Sequence, residues 1–200
     1  MTDFSGFVSI DKPVNLSSFS IVSQVRKITG LKKAGHTGTL DPFATGVLVV
    51  ALGPATKLIR FLNEDKKDYQ AEMQVGLETD TLDLTGTVIS RKTPEEFSEQ
   101  ELLNAFRNFT GRFLQSPPQF SAKKIKGKSA YKYARSGKPV YIPPCEVEIF
   151  SIDLISYQFP YINFRVSCSK GTYIRALCRD LAMFLGTKGT LLKLRRLSSG

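Results

Sequence analysis

Histidine occurs once in the 200 residues, and the three cysteines, Cys145, Cys168 and Cys178, form no CxxC pair. A single imidazole, His36, nearly excludes a histidine-based metal site, and no cysteine cluster replaces it. No metal ligand set is therefore expected. An odd, scattered cysteine count argues against a disulfide framework and for a reducing cytoplasm. No run reaches the roughly 20 apolar residues of a membrane span, so no membrane partner is expected. The start, MTDFSGFVSIDKP, lacks the basic and long apolar regions of a signal peptide. A chain of this length buries roughly 70% of its unfolded surface, so it needs no staple. It fits one domain or at most two.

Acidic side chains are missing locally. From Leu102 to Cys145 there is no Asp or Glu, yet there are Arg107, Arg112, Lys123, Lys124, Lys126, Lys128, Lys132, Arg135 and Lys138. Most of the 18 acids fall instead between Glu64 and Glu101. The net charge of +10 and pI near 9.6 suggest a polyanionic partner. A solvated loop without a partner usually mixes charge signs, and this stretch does not.

Hydrophobic patterning gives the elements. Gly6 to Asp11 reads as a strand. Ser17 or Ser18 caps a helix with Ile21, Val22, Val25 and Ile28 on one face, stopped by Gly30. Lys32 to Gly46 has no periodicity and reads as a loop. Val47 to Leu52 reads as a buried strand, and Ala55 to Leu62 as a short helix. Asp68 to Gly76 alternates as a strand does. Thr79 to Gly86 is a polar loop before a strand over Thr87 to Ser90. Ser98 to Glu101 is a capping box opening a helix over Leu102, Leu103, Phe106 and Phe109, ended by Gly111. Ser116-Pro117-Pro118 begins an irregular segment. Val147 to Ser156 and Ile162 to Ser169 read as strands joined through Pro160. Gly171 opens a helix with Ile174, Leu177, Leu181 and Leu185 on one face. The tail Leu191 to Leu197 reads as a strand or a short helix. Strands and helices mix without strict alternation, which implies an α+β fold with a mixed, mainly antiparallel sheet flanked by helices.

Gly35 to Pro42, GHTGTLDP, concentrates glycines, hydroxyls, an imidazole and one carboxylate ahead of a buried strand. Loops on rigid scaffolds carry function more often than cores do. Asp-Pro is equally a common turn dipeptide. The GxxxxGK[ST] phosphate-loop pattern is absent. From spacing alone both the turn and the site remain open.

GHTGTLDPFATGVL resembles the signature of the TruB family of pseudouridine synthases. Five further stretches resemble family motifs in the family's order: GFVSIDKPVNLSS, KDYQAEMQVGLETDTLDLTG, SPPQFSAKKIKGKSAYKYARSGKPV, CSKGTYIRALCRDLA and LKLRRLSSG. The resemblance runs from about Gly6 to Gly200. It implies the pseudouridine synthase fold, with the whole chain as catalytic domain and a basic RNA-binding insertion at about 116–140. It also implies isomerisation of uridine to pseudouridine at position 55, in the T-loop of tRNA, with no cofactor and no metal. Family members usually continue into a small C-terminal RNA-binding domain, which would be absent here.

The resemblance assigns Asp41 as the catalytic carboxylate and Arg175 as the cation that supports it. Tyr69 matches the tyrosine that stacks on the target base. Leu194 matches a pocket leucine, Tyr173 and Ile174 lie in the same motif as Arg175, and Lys12 matches a lysine near the site. His36 matches the histidine that contacts the flipped-out nucleotide. Lys123, Lys124, Lys126, Lys128, Lys132 and Arg135 would grip RNA, and the alternative, should RNA lie elsewhere, is a second basic path along Lys188, Lys193, Arg195 and Arg196. From residues alone, Arg175 also reads as a solvated helix charge and Tyr69 as core. The implied partner is the T-arm of tRNA, met by a monomer. A guide-RNA-dependent synthase of the dyskerin type and a non-catalytic RNA-binding or RNA-folding module are the rival readings.

Overall fold

The computed structural model describes residues 4–62, 66–125, 127–138 and 140–200. β1 (Gly6–Lys12) alternates between half-buried and exposed positions until Lys12, which is fully buried. Ser17 caps α1 (Ser18–Thr29) by accepting the Ser20 N–H at 3.0 Å, and Gly30 closes it in the left-handed region at φ 70°. β2 (Ala34–His36) takes in the first two residues of the GHTGTLDP stretch, and β3 (Thr45–Leu52) follows it. A 3₁₀ helix (Gly53–Phe61) leads towards β4 (Lys66–Val75). β5 (Leu77–Thr79) and β6 (Val88–Arg91) form a hairpin around the polar loop. α2 (Glu99–Asn108) opens on the Ser98–Glu101 capping box. β7 (Gly111–Gln115) follows it directly. β8 (Lys124–Ile125), β9 (Lys128–Ser129) and α3 (Ala130–Arg135) make up the basic segment. β10 (Cys145–Gln158), β11 (Tyr161–Ser169), α4 (Ile174–Phe184) and β12 (Gly189–Ser199) complete the chain.

The chain divides into two compact units, residues 1–70 with 194–200, and residues 71–193. β4 and β12 contribute residues to both. In the first unit β1 pairs antiparallel with β3, from Gly6 opposite Leu52 to Lys12 opposite Gly46. The other edge of β3 is shared. β2 pairs with its end, His36 opposite Val50, and β12 runs parallel to its start, Arg196 opposite Gly46. Ile21 and Val22 of α1 pack with Ala34, Leu48, Val50 and Leu52 into one core, fringed by Val8, Ile10, Leu16, Val25 and Leu31.

In the second unit β10 pairs antiparallel with β11 on one side and β7 on the other. Strand order there is β12-β4-β11-β10-β7. Phe106 of α2 meets Phe164 of β11 at 5.6 Å between ring centroids. Phe97 stacks on Tyr157 at 5.4 Å, and the Tyr157 hydroxyl donates to the Phe97 carbonyl at 2.7 Å. The architecture is α+β: β1–β3, β2–β3, β10–β11, β10–β7, β5–β6 and β8–β9 pair antiparallel, while β12 with β3 and Leu191 with Asp83 pair parallel. No helix among the described residues is long and apolar enough to cross a membrane.

Several expectations need correction. β2 interrupts the stretch read as one loop, because three residues suffice to pair with the free end of β3. β7 and α3 went unread, since five and six residues show too little period to register. The tail is a strand. Ile28, assigned to the buried face of α1, is 85% exposed, for it lies in the last turn beyond the reach of the core.

Gly46 marks the tightest backbone approach in the first unit. Its φ is 101°, and a Cβ there would lie 2.1 Å from the Arg196 carbonyl oxygen. Nothing lies within 4 Å of a Cβ built at Gly6. Gly46→Ala should therefore cost more than about 2 kcal/mol, from left-handed strain plus the clash. Gly6→Ala should stay within about 0.5 kcal/mol of the parent. Urea denaturation of the two variants checks this, and equal stabilities would show that the β3–β12 approach is slack.

Candidate functional site

The loop carrying Asp41 has little regular structure, yet its backbone is held at nearly every step. Thr37 N–H donates to the Val49 carbonyl at 3.0 Å. The Gly38 carbonyl accepts from Arg196 Nη2 at 3.1 Å. Ser18 Oγ serves Leu40 twice, accepting its N–H at 2.8 Å and donating to its carbonyl at 3.1 Å. Ala44 N–H closes the turn on the Asp41 carbonyl at 3.1 Å. The Pro42 carbonyl accepts from Asn15 N–H at 2.9 Å and from Lys12 Nζ at 3.1 Å. Buried polar backbone must be paired, and here buried side chains do what a ladder would do elsewhere.

Lys12 is 0% exposed. Besides Pro42, its ammonium donates to the carbonyls of Pro13 at 2.9 Å and Leu16 at 2.7 Å. Burial pushes its pKa below the ordinary lysine range, and attraction to Asp41 works against that shift. Lys12 and Asp41 thus form an electrostatic couple, with Asp41 half-buried beside a buried cation. His36 ends β2 and is half-buried. Tyr69 on β4 and Leu194 on β12 are 7% and 8% exposed.

Tyr173 and Arg175 belong to the second unit, where the first turn of α4 is clamped from outside the helix. The Gln115 amide accepts the Tyr173 N–H at 2.8 Å and donates to the Tyr173 carbonyl at 3.2 Å. Burial pushes the Tyr173 phenol up, with the charges of Lys123 and Arg175 acting the other way. Arg175 is 4% exposed, so it is no solvated helix charge. Nη1 donates to the Thr81 carbonyl at 2.8 Å, and Nη2 to the Phe120 carbonyl at 2.9 Å. Nη1 also stands 3.5 Å from the Asp83 carboxylate, both side chains being 5% exposed. Asp83 in turn accepts from Thr81 Oγ1 at 2.8 Å and from Thr85 N–H at 2.9 Å.

The basic segment is a short hairpin followed by a single helix, Ile125 pairing with Lys128. Lys124, Lys128, Lys132 and Arg135 are exposed. Arg135 lies 5.6 Å from the Tyr131 ring centroid. Lys123 differs, because its ammonium donates to the Pro143 carbonyl at 3.1 Å and to Cys145 Sγ. Lys126 lies outside the described residues. The second basic path is also altered. Arg196 is 1% exposed and bound to the Val47 and Gly38 carbonyls. Arg195 grips Asp11 with both Nη atoms at 3.0 and 2.7 Å, which holds the Asp11 carboxyl below its usual range.

Sequence reasoning gave Ser18 and Arg196 other roles, a helix cap and a path for RNA, and missed Asp83 and Gln115. Arg196 shares the inward parity of Leu194 on β12, a signal that a firm strand reading of LKLRRL would have used. Asp83 and Gln115 carried no such signal. Lys12→Met tests the hold on the Asp41 loop. It keeps the bulk but removes the ammonium's bonds to the Pro13 and Leu16 carbonyls and leaves Pro42 with the Asn15 N–H alone, so it should cost about 2–3 kcal/mol. Hydrogen exchange should quicken at Leu40 and Ala44, whose N–H groups report the loop. Unchanged exchange at both would show that the ammonium does not hold it.

The family model described as TruB family pseudouridylate synthase (N terminal domain) matches residues 26–174. The tRNA pseudouridine synthase B of Clostridium tetani is 42% identical over 196 residues, covering 98% of this chain and 68% of the relative. The proteins of the same name from Syntrophus aciditrophicus and Geobacter sulfurreducens are 45% and 47% identical, covering 98% of this chain and 62% and 64% of theirs. The chain thus spans roughly two thirds or less of the length of the curated relatives it matches. Among solved structures, a Cbf5-Nop10-Gar1 complex gives a TM-score of 0.75 at 29% identity, covering 99% of this chain and 49% of that one. An H/ACA RNP bound to a substrate RNA containing 2′-deoxyuridine gives 0.72 at 26% identity, covering 99% and 48%. The chain belongs to the TruB family of pseudouridylate synthases.

Proposed function

We propose that this chain isomerises uridine to pseudouridine at position 55 in the T-loop of tRNA, with Asp41 as the catalytic carboxylate. The observation that carries the reading is the Asp41 loop. A carboxylate held on a pinned backbone beside a buried ammonium is preorganised, which is where most electrostatic catalysis originates. In the reaction the N1–C1′ bond breaks, the uracil turns, and a C5–C1′ bond forms. The C5 proton is lost and N1 gains one, so substrate and product are isomers. Asp41 stabilises the developing positive charge at C1′ or bonds to the substrate covalently.

The remaining site residues take supporting roles. Tyr69 stacks on the flipped-out base, and Leu194 lines the pocket. Arg175, rigid through Thr81, Phe120 and Asp83, supports the carboxylate, with Tyr173 beside it in sequence. Lys12 holds the loop, and His36 meets the displaced nucleotide. Unstacking the target costs about a few kcal/mol, and aromatic stacking returns roughly 1–3 kcal/mol. The exposed cations Lys124, Lys128, Lys132 and Arg135 grip backbone phosphates, with Lys126 in the same segment. The enzyme acts in the cytoplasm as a monomer, without guide RNA. Similarity to proteins named tRNA pseudouridine synthase B, at 42–47% identity, supports tRNA as substrate.

Asp41→Asn keeps the size and loses the charge. On unmodified tRNA its turnover should fall by about a thousandfold or more, while filter binding shows tRNA still held. Turnover within tenfold of the parent would sink the assignment. Parent protein that binds tRNA but forms no pseudouridine alone would favour a guide-dependent enzyme or a binding module.

Phosphate contacts give binding its salt dependence through counterion release. Replacing Lys124, Lys128, Lys132 and Arg135 by Ala should lower the slope of log K against log salt by about 3. Single-turnover rates at saturating protein should stay near those of the parent. An unchanged slope would mean that RNA lies elsewhere.

A further inference from the structure

The three cysteines are unequal. Cys168 and Cys178 are 0% exposed, and burial pushes the Cys178 thiol well up, so both are shielded. Cys145 is half-buried at the first position of β10, where solvent reaches it. It does not stand alone. Lys123 Nζ donates to Cys145 Sγ and, at 3.1 Å, to the Pro143 carbonyl.

The surroundings hold this pair in place. Ala130 N–H donates to the Lys123 carbonyl at 2.8 Å, seating that lysine against the start of α3. The Gln119 amide brackets Val140, donating to its carbonyl at 3.1 Å and accepting its N–H at 3.3 Å. Lys123 and Cys145 both act electrostatically on Tyr173, the residue that precedes α4. β8, β9 and α3 all lie between residues 123 and 145, so the pair closes the base of the basic insertion.

We propose that Lys123 and Cys145 form a modification site for hydroperoxides, closing a reversible nitrogen–sulfur bond across the base of the insertion. In the first step the Cys145 thiolate attacks one peroxide oxygen. The O–O bond breaks, sulfur is oxidised by two electrons to a sulfenic acid, and the peroxide is reduced to an alcohol or water. In the second, Lys123 gives its extra proton to solvent and the neutral amine attacks sulfur. The S–O bond breaks, the oxygen leaves as water, and an S–N bond remains. Thiol and amine each lose one hydrogen, and the insertion loses one positive charge. A thiol reductant attacks the sulfur, breaking the S–N bond to free the amine and leave a mixed disulfide, and a second reductant thiol releases Cys145 as a thiol and carries off the disulfide. Sulfenic acids condense with a nearby nitrogen or oxidise further. The Lys123 nitrogen already sits at the sulfur, and such proximity raises effective concentration steeply.

The test treats folded parent protein, Cys145→Ser and Lys123→Arg with hydrogen peroxide, followed by intact mass and peptide mapping. The parent should yield a species lighter by two hydrogens, with the peptides holding Lys123 and Cys145 joined, and dithiothreitol should restore the original mass. Neither variant should form it, and Lys123→Arg should instead accumulate sulfenic or sulfinic acid at Cys145. Three results would overturn the proposal: sulfinic acid at Cys145 with Lys123 free in the parent, no change at Cys145, or the two-hydrogen loss persisting in Lys123→Arg. The readout is a mass, so its outcome is independent of whether tRNA is the substrate.

Discussion

A buried ammonium organises the first unit. Lys12 carries its charge into a place with no solvent exposure, which costs several kcal/mol unless partners replace the water. The carbonyls of Pro13, Leu16 and Pro42 replace it. Each comes from a different piece of chain: the turn after β1, the approach to α1, and the Asp-Pro dipeptide. One side chain therefore fixes three segments, and the third bears Asp41. The downward push on the Lys12 pKa and the opposing pull of Asp41 record the same balance. Were the ammonium lost, the carbonyls of Pro13 and Leu16 would lose its hydrogen bonds, Pro42 would keep only the Asn15 N–H, and Asp41 would lose the attraction of Lys12.

The same device recurs wherever the chain is irregular but must be rigid. Arg196 feeds the carbonyls of Gly38 and Val47. Ser18 takes both backbone groups of Leu40. In the second unit Gln115 takes both backbone groups of Tyr173, and Arg175 feeds Thr81 and Phe120. A regular strand would satisfy these groups locally but would aim alternate side chains to opposite faces. A loop satisfied by buried side chains escapes that periodicity, so a functional residue can be aimed freely without becoming mobile.

This explains which features could be read in advance. The capping box of α2, the glycine stop of α1 and the apolar face of α4 follow from local rules, and all are present. The apolar run of β3 reads directly as a buried strand. β2 and β7 depend on strands elsewhere in the chain, β3 and β10, and the few residues of β2, β7 and α3 hold no period. Ile28 fits the helical face yet points past the end of the core, since periodicity gives direction around an axis but not how far the core extends along it. Family motifs offered Asp41 as the carboxylate and Lys12 as a lysine near the site, and in the structure Asp41 acts electrostatically on Lys12. Asp83 was unreadable: a carboxylate in a polar loop resembles any solvated acid until Arg175 is seen beside it.

Charge counting has the same limit. Lys123 and Lys124 are adjacent and chemically identical, and composition assigns both to a polyanion. One is exposed, while the other spends its ammonium on a carbonyl and a sulfur. Arg195 and Arg196 repeat the contrast, one forked onto Asp11 at the surface and the other wholly enclosed. In both cases strand or loop geometry sends neighbouring side chains in different directions, so a basic run is a mixture of structural and available cations. Only available cations release counterions when a polyanion binds. The electrostatic footprint of this domain is therefore smaller than its net charge of +10 implies, and its location follows from the backbone rather than from the density of lysine in the sequence.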